Sequence, residues 1–260
     1  LDPDHAGAKF GLSLVRLVQG DMAAGWQGYM ARESMRGAGP GFTRDMLPQD
    51  LSGRRILVVH DQGVGDEIFF LRFAPVLVAR GATVSYLPAP RLEGMVARAV
   101  IADIVDANNP GDYDIKLSVG DLPALLGPGP EPEFPPSIRL TPEPERETAL
   151  RAQLAAFGPP PYIGVTWRAG TRGNAHLLCK ESPLELVAKA LAPTPASYIA
   201  LQRGPEPGEV ADFATWLGPP SLDLTALNDD LEDLLALVGL PDDYVCISNT
   251  NVPLPTARGH

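Results

Sequence analysis

An acidic residue stands at the end of a glycine-rich turn in the first half of the chain. Residues 60–67, His-Asp-Gln-Gly-Val-Gly-Asp-Glu, directly follow the apolar run 56–59 and directly precede the apolar run 68–71. This order predicts a buried strand, a tight turn and a helix with Asp66 in its first turn. The N–H groups and dipole of a helix N-terminus stabilise an anion, so Asp66 is a poor phosphate cradle and a candidate general base. An acid that only stabilises the helix end fits equally well.

A basic cluster follows a predicted strand in the second half. Arg168, Arg172 and Lys180 lie close together in a chain whose formal net charge is −11. Guanidinium forks suit phosphate oxygens, and Thr166 and the backbone of Gly170 add neutral donors. Solvated surface charge is the alternative, but the carboxyl end of a strand in an α/β sheet is where ligands bind. The cluster therefore favours anion binding.

Two further polar segments lie near the end of the chain. Residues 248–251, Ser-Asn-Thr-Asn, follow an apolar strand and could donate backbone and hydroxyl groups to a phosphate or sugar, although a simple turn fits as well. Residues 228–233, Asn-Asp-Asp-Leu-Glu-Asp, open a predicted helix. Asn228 is the predicted N-cap and the acids fill the first turn, which favours helix capping over metal binding.

Composition and missing motifs exclude several classes of protein. The sequence has no P-loop, no G-x-S-x-G elbow, no H-E-x-x-H and no C-x-x-C pair, and its 4 histidines show no metal-ligand spacing. The net charge of −11 argues against a nucleic-acid duplex or an anionic membrane as the main partner. No apolar run approaches the roughly 20 residues of a membrane span, and no signal-peptide pattern occurs. The 2 cysteines are typical of reduced thiols, so we expect a cytoplasmic protein.

The N-terminal region has helical periodicity over residues 5–18 and 22–35. Its small residues, its turn at 19–21 and its aromatic positions resemble one tetratricopeptide unit, with Arg32 closing the pattern. Because such a unit cannot bury both faces alone and the chain begins on Leu1, we expect further repeats upstream. A plain helical hairpin is the alternative.

The remainder alternates strands and helices, which predicts parallel sheets with right-handed crossovers. The predicted domains are a helical hairpin at 1–36, a first Rossmann-like domain at 37–136 and a second at 137–260, with a cleft between the two α/β halves. Strands are predicted at 55–60, 83–87, 103–106, 113–117, 162–167, 197–201 and 243–248. Helices are predicted at 66–80, 90–99, 121–126, 143–157, 183–191, 207–217 and 229–238.

Taken in order, these segments resemble bacterial heptosyltransferase-type glycosyltransferases, in particular the forms that follow tetratricopeptide repeats. The matching segments are 17–32, 62–73, 164–170, 201–203, 228–233 and 248–251. The resemblance implies the GT-B fold, two Rossmann-like domains facing across a cleft. It also implies transfer of a sugar from a nucleotide-sugar donor to a glycan, lipid-linked or protein acceptor, with no bound metal and no cofactor besides the co-substrate.

The resemblance also assigns roles to individual residues. Asp66 matches the base that acts on the acceptor hydroxyl. Thr166, Gly170 and Lys180 match positions that hold the donor's phosphates, and Gln202 matches a position near the nucleotide. Beyond these matches, the position and chemistry of the residues place His60, Gln62, Gly63 and Gly65 on the acceptor side. His60 could contact the ligand or support the turn, and the supporting role is favoured. The same reasoning places a further set on the donor side: Trp167, Arg168, Arg172, Ser248, Asn249, Thr250 and Asn251.

The sequence departs from the family pattern near its end. Pro253 stands where relatives carry a histidine, and the chain ends at His260 before the helix, strand and helix that complete the family's donor domain. We therefore expect an incomplete donor domain, with catalytic activity of this chain in doubt.

Two other functions remain open. The chain could be a non-catalytic interaction module that binds a protein through its repeat-like helices. It could also be a nicotinamide-dependent oxidoreductase, but the dinucleotide fingerprint lacks its third glycine, and no acid ends the strand at 83–87.

Overall fold

The computed structural model describes residues 5–35, 41–127, 134–169, 180–218 and 221–247, with positions 254 and 257. The chain divides into two compact units, Leu1–Ile138 and Arg139–His260. Each unit contains a four-stranded parallel sheet with helical connections. The predicted α/β class with parallel sheets is confirmed.

The first unit opens with α1 (Ala6–Val18) and α2 (Met22–Tyr29), which follow each other in sequence and pack together. These two helices, with the segment that follows α2 as far as Arg32, are called here the N-terminal hairpin. His5 and Asp21 cap the two helices, because each side chain accepts a hydrogen bond from an amide of the first turn. The helix predicted at 22–35 is wrong in length: α2 ends at Tyr29, and a 3-10 turn follows at Glu33–Met35. The break directs Arg32 toward the sheet.

The first sheet has the strand order β3-β2-β1-β4. Its strands are β1 (Arg55–Val59), β2 (Thr83–Leu87), β3 (Asp103–Ile104) and β4 (Ile115–Ser118). Its helices are α3 (Val64–Leu71), α4 (Ala74–Ala79), α5 (Glu93–Ala99) and α6 (Leu122–Leu126), with a 3-10 turn at Val119–Asp121. The chain leaves β1 for β2 and β3 on one side and returns to β4 on the other, so a topological switch point lies between β1 and β4.

The single helix predicted at 66–80 is wrong, since α3 and α4 are separate helices. Pro75 lies in the first turn of α4 and has no N–H to donate to an earlier carbonyl, which stops α3 from continuing. The centre of β1 is buried on both faces, with Ile56, Leu57 and Val58 at most 2% exposed. Continuous burial of this kind is typical of a parallel sheet covered by helices.

The second sheet repeats this topology in the order β7-β6-β5-β8. Its strands are β5 (Tyr162–Thr166), β6 (Ser197–Ala200), β7 (Ser221–Asp223) and β8 (Asp243–Cys246). Its helices are α7 (Pro144–Phe157), α8 (Leu184–Leu191), α9 (Glu209–Leu217) and α10 (Leu231–Val238), with a 3-10 turn at Thr225–Asp229. The sequence prediction missed β7, because three residues are too few to show a periodic pattern. The switch point here lies between β5 and β8.

Two apolar clusters lie in the second unit. One includes Val165 and Tyr198 with Phe213 of α9, and the other includes Ile199 with Leu154 of α7. Because side chains alternate along a strand, the neighbours Tyr198 and Ile199 point to opposite faces of the sheet. Helices therefore cover both faces of β6, and the carboxyl ends of the strands are left for polar residues.

The predicted N-cap of α10 is corrected by the structure. Asp230, not Asn228, caps the helix by accepting a hydrogen bond from the amide of Glu232 at 2.8 Å. Asn228 is buried instead, and its Nδ2 donates to the carbonyl of Leu201 at 3.0 Å. No helix in the described ranges is both long enough and apolar enough to cross a bilayer.

Candidate active site

The turn between β1 and α3, residues 60–63, lies at the carboxyl end of the first sheet's central strand. The amide of His60 donates to the carbonyl of Leu87 at 2.9 Å, and Nδ1 of its ring lies 3.2 Å from the same oxygen. These contacts join the ends of β1 and β2. The local role of His60 is therefore to support the turn.

Asp66 lies in the first turn of α3, whose N-cap is Gly63. The side chain is exposed, and its Oδ2 lies 3.5 Å from the position that a Cβ on Gly63 would occupy. The carboxylate thus folds back over the start of the helix, where the dipole favours its anionic form. An exposed carboxylate is chemically able to accept a proton from a hydroxyl group.

The next residue, Glu67, has a different environment, because adjacent helical residues point about 100° apart. Glu67 is fully buried. Its Oε1 accepts hydrogen bonds from the Tyr86 hydroxyl and from the Ala89 amide, the latter at 3.0 Å. Burial raises the pKa of the Glu67 carboxyl, which favours its protonated form. Of these two neighbouring acids, only Asp66 faces solvent.

Arg32 enters this region from the N-terminal hairpin. Its guanidinium is 2% exposed and forms ion pairs with Asp61, which follows β1, and with Asp121, which follows β4. Ser118 at the end of β4 accepts from Nη2 at 2.9 Å and donates to Asp61 Oδ2 at 2.9 Å. The guanidinium therefore occupies the switch point of the first sheet. No local sequence pattern predicts this position of Arg32, because its partners lie 29 and 89 positions away in the chain. In the sequence, Arg32 only closes a repeat-like motif.

The hairpin also contacts the turn through Tyr29. Nε2 of Gln62 donates to the Tyr29 hydroxyl oxygen at 2.6 Å. Burial, followed by the negative charge of Asp66, raises the pKa of Tyr29 to about 12. The phenol therefore stays protonated near neutral pH. Gln62 itself has a φ of 67°, in the left-handed region that non-glycine residues seldom adopt.

In the second unit, Thr166 ends the central strand β5 and is buried. Its Oγ1 lies 2.5 Å from the hydroxyl oxygen of Tyr244 on β8. A Cβ on Gly164 would lie 2.5 Å from Cδ2 of that tyrosine ring, so a glycine is needed for the ring to cross β5. The Thr166 hydroxyl is thus engaged within the protein.

Gln202 follows β6, and its side chain forms hydrogen bonds with the backbone of the residues that come after β5. Its Oε1 accepts from the amides of Trp167 at 3.1 Å and Arg168 at 2.8 Å, and its Nε2 donates to the carbonyl of Arg168 at 3.1 Å. Trp167 is buried and stacks on Phe213 with ring centroids 5.4 Å apart. These two side chains shape the strand end from within.

Arg168 is held by acidic partners. Its Nη1 donates to Glu209 Oε1 at 2.6 Å and its Nη2 donates to Glu209 Oε2 at 2.9 Å, with Glu181 3.6 Å away. The hydrogen bonds to Glu209 raise the pKa of Arg168. A bidentate pair of this kind largely neutralises the guanidinium charge. The structure therefore shows Arg168 facing Glu209 at the start of α9.

Lys180 is an exposed cation near the end of β5. The Ala169 amide donates to the Lys180 carbonyl at 2.8 Å, and the Ser182 amide donates to the Trp167 carbonyl at 2.9 Å. These backbone bonds keep Lys180 close to the end of β5. The other predicted donor residues, Gly170, Arg172, Ser248, Asn249, Thr250 and Asn251, lie outside the described residues.

Comparison with known proteins identifies a relative by sequence and several neighbours by structure. No protein-family model matches the chain. Protein FlbA from Caulobacter vibrioides is 27% identical over 287 residues, which cover 98% of this chain and 47% of that protein. The chain thus spans about half the length of the curated relative it matches.

The structural neighbours are glycosyltransferases. The glycosyl transferase family 9 structure from Veillonella parvula matches with a TM-score of 0.63 and 12% identity, covering 83% of this chain and 81% of that one. The ADP-heptose LPS heptosyltransferase II of E. coli matches with a TM-score of 0.58 and 13% identity, covering 78% of this chain and 82% of that one. At such low identity these matches establish a shared α/β fold with parallel sheets.

Proposed function

We propose that this chain is the transferase region of a metal-independent glycosyltransferase of the heptosyltransferase type. The observation that carries the proposal is Asp66: an exposed carboxylate in the first turn of the helix that follows the central strand of the first sheet. The shared fold with glycosyltransferase structures supports it. In this proposal the first unit receives the acceptor and the second unit binds a nucleotide-sugar donor.

The proposed chemistry is a direct displacement. The acceptor oxygen forms a bond to the anomeric carbon of the sugar, and Asp66 takes the hydroxyl proton as that bond forms. The bond between the anomeric carbon and the diphosphate oxygen breaks, and its electron pair leaves with the nucleoside diphosphate. The helix dipole at the start of α3 favours the anionic form of a carboxylate at this position, which is the form that accepts a proton. The exposed turn residues Gln62 and Gly63, together with Gly65 in the first turn of α3, would line the acceptor side.

On the donor side, Lys180 would stabilise the charge that develops on the departing diphosphate. Thr166, Trp167, Arg168 and Gln202 would contribute by shaping the strand end, because their described side-chain contacts are internal. Gly170, Arg172 and residues 248–251 complete the proposed donor set. Among the described residues, no group of three or more His, Cys, Asp or Glu side chains is arranged so that it could hold a metal ion.

The first experiment measures donor binding and turnover in the same preparation. Calorimetry with ADP-heptose and with UDP-N-acetylglucosamine identifies the donor, and release of the nucleoside diphosphate measures turnover. Asp66→Asn should lower turnover by about 10²–10⁴-fold and leave the donor Kd unchanged. Glu93→Gln is the matched control, since Glu93 is an exposed acid in the first turn of α5. An active protein in which Asp66→Asn changes nothing contradicts the assignment of the base.

A second candidate function is a non-catalytic interaction module with a degenerate transferase scaffold. Its support is specific: the side chains of Thr166, Arg168 and Gln202 are all engaged in internal contacts at the strand end where a donor would bind. In this case the tetratricopeptide-like hairpin binds a protein partner in the cytoplasm. Absence of binding to any nucleotide sugar or nucleoside diphosphate would favour this candidate over the enzyme.

A further inference from the structure

The N-terminal hairpin reaches the proposed acceptor side through one buried side chain. Nε of Arg32 donates to Asp61 Oδ2 at 2.7 Å, and Nη1 donates to Asp121 Oδ1 at 2.5 Å. Nη2 donates to Asp61 and, at 2.9 Å, to Ser118. The guanidinium thus ties the segments that follow the two strands at the switch point, and it does so from a separate helical element.

The backbone of the sheet is shaped to accept this guanidinium. A Cβ on Gly120 would lie 2.8 Å from Arg32 Nη2 and 3.2 Å from Asp61 Oδ2. Only a residue without a side chain lets the ion pair lie so close to the 3-10 turn after β4. Ser118 adds to the fit, because its hydroxyl bridges Arg32 and Asp61 and also accepts from the Gly120 amide at 3.3 Å. A loosely attached module would not require such a fit.

The segment that the hairpin holds contains an unfavourable backbone conformation. Gln62 has a φ of 67°, and it lies four positions before Asp66. Such a conformation in a non-glycine residue persists only where the surroundings fix it. Two hairpin side chains do so here: Arg32 anchors the preceding Asp61, and Tyr29 accepts a hydrogen bond from the side chain of Gln62 at 2.6 Å.

Tyr29 and Arg32 are three positions apart in the chain and contact each other. The Arg32 guanidinium lies 5.2 Å from the centroid of the Tyr29 ring and donates to the Tyr29 carbonyl at 3.3 Å. The ring also packs against Trp26 of α2 and Phe70 of α3 at centroid distances of 5.4 and 5.7 Å. The hairpin therefore packs against α3 through Phe70 and contacts the turn through Gln62.

We infer that Tyr29 and Arg32 of the N-terminal hairpin are positioning residues for the proposed base, because they hold residues 61–63 in the conformation that places Asp66 at the start of α3. This inference rests on the proposed function for its catalytic meaning. It makes the hairpin part of the acceptor side and not a separable attachment.

The first test is a double-mutant cycle on the polar link. Tyr29→Phe removes only the hydroxyl, and Gln62→Ala removes the amide that donates to it. Each single variant should lower kcat for release of ADP from ADP-heptose roughly 10-fold, with the donor Kd unchanged. The double variant should lose no more than the worse single variant, because both changes remove one interaction. Independent, multiplicative losses, or an unchanged kcat in both single variants, overturn the inference.

The second test needs no enzymatic activity. Amide hydrogen exchange of residues 61–66 should be faster in Tyr29→Phe, and faster still in Arg32→Lys, which keeps the charge but cannot make all the contacts of the guanidinium. Val15→Ser is the control, since Val15 is a 51% exposed residue on α1 of the same hairpin. Unchanged protection of residues 61–66 in both variants refutes the inference. If the wild-type chain binds no nucleotide sugar, the proposed function fails, while hydrogen exchange still decides whether the hairpin holds the turn.

Discussion

The two sheets share one topology but differ in how the carboxyl ends of their strands are held together. In the first unit a buried arginine from outside the sheet joins the ends of β1 and β4 through Asp61 and Asp121. In the second unit, side chains that follow neighbouring strands hold one another, as Gln202 holds residues 167 and 168. The first sheet therefore depends on a distant helical element to organise its strand ends, and the second organises its own.

The ion pairs at the strand ends of the two sheets also differ in exposure. Arg32 and Asp121 have side chains that are 2% and 0% exposed, so their pairing occurs without water. Arg168 is 5% exposed, but its partner Glu209 keeps 15% of its side-chain surface. Loss of the arginine therefore leaves buried anions in the first unit and a partly hydrated one in the second.

The largest expected effect tests this comparison directly, through the removal of each arginine in turn. Arg32→Met should destabilise the first unit by about 3–5 kcal/mol, because two buried carboxylates lose their counter-charge. Arg168→Met should cost the second unit only about 2 kcal/mol, since water can reach Glu209. Unfolding by urea, monitored through amide hydrogen exchange within each unit, measures the two stability losses separately.

A compensating variant sharpens this result. Adding Asp121→Asn to Arg32→Met removes one of the two unpaired anions and should recover part of the lost stability. Equal losses in Arg32→Met and Arg168→Met, or no recovery with Asp121→Asn, would show that the two ion pairs do not differ as their burial suggests.

A smaller effect is expected from the glycine that each switch point requires. Gly164→Ala should cost about 1–3 kcal/mol, because its Cβ would meet the rigid ring of Tyr244 at 2.5 Å. Gly120→Ala would bring a Cβ within 2.8 Å of Nη2 of Arg32, whose guanidinium is held by Asp61 and Asp121, so it should cost a similar amount of stability and should also lower turnover. Thermal unfolding and diphosphate release measure the two quantities. Unchanged stability and turnover in Gly120→Ala would contradict the close fit between this glycine and Arg32.

The next effect depends on pH. Burial raises the pKa of Glu67 above its unfolded value of 4.5, so its stabilising contribution is fully present below pH 4.5 and is lost as pH rises through the raised value. Glu67→Gln cannot ionise and should lose less stability than wild type between pH 3.5, which lies below the unfolded pKa, and pH 8. The difference is about 1.4 kcal/mol for each unit by which the pKa is raised. Unfolding free energies at both pH values measure it, and Glu93→Gln should follow wild type.

The smallest effect on stability is expected at Lys180. Lys180→Ala should change the unfolding free energy by less than about 0.5 kcal/mol, because the side chain is exposed. It should nevertheless weaken donor binding by about 10-fold through loss of a charged contact to phosphate. Lys189→Ala is the matched control, since Lys189 is also exposed and pairs with Glu185 within α8. Equal donor affinities in the two variants would remove Lys180 from the donor site.

The location of the candidate site was largely predictable from the chain. The apolar run before residue 60 and the glycines at 63 and 65 placed Asp66 in the first turn of a helix, where the structure has it. The strands at 55–60 and 162–167 were placed to within one residue. Errors arose where a local signal was underweighted, as with Pro75 between α3 and α4, or where the element was as short as β7.

The alternation of strands and helices and the positions of Asp66 and Lys180 can be read from the amino-acid sequence, because these depend on neighbours within a few residues. The partners of the charged side chains are known only from the folded chain. Arg32 pairs with residues 29 and 89 positions away, and Arg168 turns to a glutamate 41 positions away. A buried charge must find an opposite charge in space, and one-dimensional spacing does not specify which one. That requirement accounts for the position of Arg32 at the switch point of the first sheet. Asp66 is exposed, so the requirement does not apply to it.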